Sequence, residues 1–145
     1  MLEGMLNMDD VGVGDSLGHL LENALLYYSI AEDLYSQGRH ADVCFKSYDV
    51  ARYLLKAYAI TVGYELSEAN TSRISLLELA VNLGVSDSEV LQELSRLSFV
   101  HVYFDYPELR VYSDVEFQEI TARKCLEAVK VIAEKLLGQK LPDLT

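Results

Sequence analysis

LGHLLENALLYYSIAEDLYSQGRHADVCFKSYDVARYLLKAYAITVG, residues 17–63, carries two helical faces separated by a single glycine turn. In the first half, Leu17, Leu20, Leu21, Ala24, Leu25, Tyr28, Ala31, Leu34 and Tyr35 recur at a period near 3.6. That period places them on one side of a helix, and Gly38 supplies the stop. The second half repeats the pattern through Ala41, Cys44, Phe45, Tyr48, Ala51, Leu55, Ala59 and Val62, with Gly63 as its stop. Two long helices joined this tightly must run antiparallel, as in a bundle.

Downstream, the same period continues under clear punctuation. Ser75 to Glu78, Ser86 to Glu89 and Ser113 to Glu116 each have the Ser-x-x-Glu spacing of a capping box. In such a box the two side chains satisfy backbone N–H groups left open at a helix start. Gly84 closes the short helix that follows the first box, and Pro107 forbids continuation of the next. The final helix should turn Phe117, Ile120, Cys125, Ala128, Val129, Ile132 and Leu136 inward and stop at Gly138. No alternating strand pattern or internal repeat competes with this. The expected fold is therefore all-α, an up-and-down bundle of about five helices, four long and one short. One helical domain spans residues 15–138, between a flexible segment 1–14 and a tail 139–145.

Composition sets limits on function. Half of the 145 residues are apolar and 24% are charged, enough for a core without disulfides or metals. The net charge of −11 opposes long-range attraction to nucleic-acid backbones, so any RNA contact needs a local basic site. No apolar run reaches the roughly 18 residues of a membrane span, and the first fifteen residues contain no Lys or Arg. A cytoplasmic protein is expected. Cys44 and Cys125 fall on apolar faces without ligand spacing around them, and so read as buried thiols rather than a metal site or disulfide. Gly12, Gly14 and Gly18 have dinucleotide-loop spacing but lack the preceding strand that loop requires. His19 and His40 stand singly at helix starts. No metal or other cofactor is implied.

The basic residues Arg39, Lys46, Arg52 and Lys56 lie on or beside the second helix, either as a solvated face or as an edge that contacts phosphate. A denser set of chemical groups is Arg96-Leu97-Ser98-Phe99-Val100-His101-Val102-Tyr103. Arginine can grip a phosphate through paired hydrogen bonds, and an imidazole can take a hydroxyl proton near neutral pH. Five residues of regular helix turn through about 500°, which leaves Arg96 and His101 about 140° apart. They can meet on one phosphate only if the helix is distorted or a second subunit takes part. Otherwise His101, four residues beyond Leu97, is a packing residue and Arg96 is solvated.

The sequence resembles the HEPN superfamily over residues 17–137. The likeness rests on Gly38-Arg39-His40-Ala41-Asp42 running into Ala51-Arg52-Tyr53-Leu54-Leu55-Lys56, on the turn Asp105-Tyr106-Pro107-Glu108, and on the amphipathic closing helix. Active members are metal-independent RNases with an Arg-x(4 to 6)-His motif, extended in one toxin branch to Arg-x4-His-x-Tyr. The resemblance implies Arg96 and His101 as catalytic residues and Tyr103 as the site where a partner nucleotidyltransferase antitoxin attaches nucleotide. It also implies a homodimer that shares one cleft. If the basic edge of the second helix contacts phosphate, Arg52 and Lys56 are the candidate contacts to RNA or nucleotide. Two positions depart from the pattern: Leu97 follows the arginine where active members commonly carry a polar residue, and Asp105 occupies a place where arginine is frequent. Other relatives lack the motif and bind nucleotides or proteins without cutting, so a non-catalytic binding module is the alternative. Tyr27, Phe99, Phe104 and Tyr106 are expected to leave apolar surface for the dimer.

Overall fold

The computed structural model describes residues 13–64, 74–108 and 114–141. Five helices form α1 Val13–Ser36, α2 His40–Thr61, α3 Leu76–Asn82, α4 Ser88–Phe104 and α5 Val115–Leu137, and no strand occurs among the described residues. The expected tail begins within the described part: Leu141, beyond α5, is buried and joins the core. Residues 1–12 and 142–145 lie outside the described residues.

Gly38 has φ 76°, a conformation that costs a side-chain-bearing residue about 1 kcal/mol or more. Around it the Arg39 N–H donates to Leu34 O at 2.9 Å and the Gly38 N–H to Tyr35 O at 3.1 Å. These paired bonds satisfy the last carbonyls of α1 and turn the chain directly into α2. The three later helix starts are capped by side chains. Ser75 Oγ accepts from the Glu78 N–H at 3.1 Å, as its spacing predicts. The other two caps differ from the serines expected. Asp87 Oδ1, not Ser86, accepts from the N–H groups of Glu89 and Val90, and Asp114 Oδ1 accepts from the N–H of Glu116. In both places the carboxylate one residue on from the serine reaches the open donors and adds a negative charge at the helix N-terminus. Ser113 lies outside the described residues.

Helix α2 packs against every other helix. Its buried stripe is Val43, Cys44, Ser47, Val50, Ala51, Leu54 and Leu55, with Ala57 and Ala59 buried beside it. Ala24, Tyr28 and Ala31 of α1 and Cys125, Ala128, Val129 and Ile132 of α5 fill the core against it. Cys44 and Cys125 are buried free thiols, but they are not isolated: Cys125 Sγ donates to Cys44 Sγ at 3.2 Å. That hydrogen bond, together with burial, pushes the Cys44 thiol far above its usual range, so it stays protonated.

Several inward assignments change. Val62 is exposed beyond the end of α2, and Phe117 and Ile120 are exposed on α5. Conversely, Phe104 is fully buried and contributes nothing to surface association, whereas Phe99 and Tyr106 are exposed.

Candidate functional site

The rotation of α4 is fixed by Val90, Leu94, Leu97, Val100 and Phe104, spaced four, three, three and four residues apart and all buried. Its start is tied to the end of α5, where Lys135 Nζ lies 3.0 Å from Glu89 Oε1. With that stripe inward, Arg96 and His101 emerge on opposite flanks, as their 140° separation requires.

His101 points toward α2. Its ring lies 4.1 Å from the Tyr48 ring centroid at an interplanar angle of 32°, and 5.3 Å from Phe45 nearly edge-on. Tyr48 is itself held, because Arg52 Nη2 donates to its hydroxyl at 3.1 Å and to Ile74 O at 3.0 Å. Thus Arg52, one helical turn along α2, is connected to the imidazole through a tyrosine. Beside them a polar cavity of about 180 Å³ is lined by Tyr27, Asp49, Arg52, Tyr53 and Lys56. Cations and rings alternate here: Lys46 Nζ lies 4.8 Å from the Tyr27 centroid and Lys56 Nζ 5.8 Å from that of Tyr53. Burial pushes the Asp49 carboxyl up, while Lys46, His101 and Arg52 act against it. Asp49 is thus a half-buried acid placed among an imidazole and the cations Lys46 and Arg52.

Arg96 faces the other way, toward α5. Its Nε donates to Glu93 Oε1 at 2.9 Å. It shares a groove of about 290 Å³ with Phe99, Tyr103, Phe117, Ile120 and Lys124. Arg96 and Tyr103, seven residues apart, therefore do lie on one side of the helix. The structure brings Arg52 to His101 and Tyr103 to Arg96, but a single chain does not bring Arg96 to His101. Between the two flanks, Phe99, Val102 and Tyr106 are 70%, 56% and 55% exposed on the outer face. Among the described residues no three His, Cys, Asp or Glu side chains gather as a metal site.

Sequence reasoning missed the surroundings of both residues. Tyr48 and Phe45 were expected to be ordinary core residues, and Asp49 carried no signal except its place three residues before Arg52. Glu93 and Lys124 follow the i,i+3 and i,i+4 logic of their helices but become meaningful only once α4 and α5 are paired. His40, at the start of α2, packs its ring 5.6 Å from Tyr35, and His19 lies 3.6 Å from Glu22; neither approaches this region.

Among the described residues no helix is long and apolar enough to cross a membrane. Neither the comparison with curated proteins nor that with solved structures finds a match. The family model of the HEPN domain matches residues 17–139, all five helices except the first four residues of α1. With that span, its bundle architecture and the Arg96–His101 spacing on α4, this chain belongs to the HEPN domain family.

Proposed function

We propose that this HEPN protein is a metal-independent endoribonuclease, or a toxin component derived from one, that works as a homodimer and is paired with a nucleotidyltransferase antitoxin. The observation that carries the proposal is the division of the motif across α4. Arg96 and His101 have the family spacing, yet they flank an exposed apolar stripe and cannot converge within one chain. A second copy packed on Val102 and Tyr106 buries those two side chains, leaves Phe99 on the α4–α5 groove, and supplies the missing half of the site.

In the proposed reaction His101 accepts the 2′-hydroxyl proton, the 2′-oxygen attacks the adjacent phosphorus, and the bond to the 5′-oxygen breaks, leaving a 2′,3′-cyclic phosphate and a 5′-oxygen that takes a proton from water. Arg96 stabilises the negative charge that develops on the phosphate oxygens. Arg52 and Lys56 contact the RNA backbone beside His101. Nucleotide attached to Tyr103 adds charge and bulk in the groove that Arg96 lines, and so excludes substrate. A second reading, a non-catalytic nucleotide- or protein-binding module, draws support from His101 packed between two rings and from Arg96 engaged by Glu93.

The test is cleavage of single-stranded RNA in the presence of a chelator. The nuclease reading expects cutting by the wild type and none by Arg96→Ala or His101→Phe at unchanged helical content. A wild type that never cuts, with or without its neighbouring gene product, sinks this reading in favour of the binding module. Intact mass after co-expression with a nucleotidyltransferase partner tests Tyr103: a nucleotidyl increment absent from Tyr103→Phe is expected, and an unmodified chain beside an active transferase removes that role.

A further inference from the structure

The groove between α4 and α5 has features that neither the core nor the cleavage chemistry uses. By helical period Phe117 and Ile120 belong to the inward face of α5, yet they are 47% and 37% exposed, and Phe99 opposite is 70% exposed. Three aromatic rings line up along it, with Tyr103 lying 6.2 Å from Phe99 and 5.9 Å from Phe117 between centroids. At the rim stand two cations, Arg96 and Lys124. Arg96 is engaged by Glu93, whereas Lys124 has no ion-pair partner among the described residues. An apolar aromatic floor with cations at its edge matches a planar base attached to a phosphate.

Size and composition narrow the occupant. The cavity of about 290 Å³ is at the small end of ligand sites, roughly 300 Å³ and upward, and so suits one planar ring system better than a helix. Single-stranded nucleic acids are held by aromatic platforms flanked by cations, which is the arrangement of this groove. We infer that this groove is a nucleobase subsite, in which Phe99 and Phe117 stack a base of single-stranded RNA and Lys124 holds its phosphate. The inference rests on the RNA-directed reading of Arg96, and gives it a means of selecting unpaired RNA, because a base can enter the groove only when it is free of a duplex.

The test uses a fluorescein-labelled oligoadenylate carrying 2′-O-methyl groups throughout, which lacks the attacking hydroxyl and stays intact. In fluorescence anisotropy, Phe117→Ala and Lys124→Ala should each weaken binding by about tenfold, while Phe117→Tyr and the distant surface variant Leu77→Ala bind as the wild type does. Lys124→Ala should also reduce the salt dependence by about one phosphate contact. Because Lys124 is exposed, its variant remains informative even if Phe117→Ala loses helical structure. Wild-type affinity in both the Phe117 and Lys124 variants overturns the subsite, as does a wild type that does not bind the probe. Conversion of a dimer to a monomer by Phe117→Ala also overturns it, since a second copy then covers the groove. Binding that depends on Phe117 and Lys124 supports the subsite even if unmethylated RNA remains uncut, a result that refutes only the nuclease reading.

Discussion

Replacing His101 separates its packing from its chemistry. The imidazole contributes two ring contacts, to Tyr48 at 4.1 Å and to Phe45 at 5.3 Å. Such pairs contribute about 0.5–1.5 kcal/mol each, so alanine forfeits about 1–3 kcal/mol, of which its higher helix propensity offsets about 0.5 kcal/mol. The expected net loss is about 1.5 kcal/mol, which for a chain of this size lowers Tm by about 3–6 °C. Phenylalanine preserves both ring contacts and should keep Tm near the wild-type value while removing the proton acceptor. Thermal unfolding followed by circular dichroism on both variants is the assay, with RNA cleavage measured on the same samples. An alanine variant as stable as the wild type refutes the packing geometry. A phenylalanine variant that still cuts RNA refutes the role of the imidazole.

Asp49 gives a pH-dependent expectation. Burial raises its folded pKa above the unfolded value, so the stability it contributes is fully present below the unfolded pKa of about 3.9 and is lost as pH rises through the folded pKa. Asp49→Asn should therefore raise Tm at neutral pH, with the difference vanishing in acid; an asparagine variant less stable than the wild type at neutral pH contradicts this. Val102, 56% exposed in the single chain, should tolerate Val102→Glu without loss of helix, but the charge should prevent association in sedimentation and abolish cutting. A persistent dimer in that variant removes α4 from the interface.

The glycine stops and the Ser75 cap were legible because they are local: a left-handed residue or a cap is written within four or five positions of the chain. The same locality limited the reading at Ser86 and Ser113. Serine and aspartate are comparable caps, and the choice between adjacent candidates depends on which one the tertiary packing of α4 and α5 leaves outside the helix. The separation of Arg96 from His101 followed from helix geometry alone, and so did the shared side of Arg96 and Tyr103. What surrounds His101 was hidden, because Phe45, Tyr48, Asp49 and Arg52 reach it only through the packing of α2 on α4. Exposure of Phe117 and Ile120 was hidden for a related reason: their apolar character suits a core equally well as an uncovered groove.

The central claim is that one chain supplies Arg96 and another supplies His101. Chains carrying Arg96→Ala and chains carrying His101→Phe, each inactive alone, can be co-expressed with different tags and assayed on single-stranded RNA in chelator. Random association makes about half the dimers mixed, and each mixed dimer has one complete site out of two, so the mixture should recover about a quarter of wild-type activity. An active wild type whose purified mixed dimer is inert would contradict the claim and return both residues to a site within one chain.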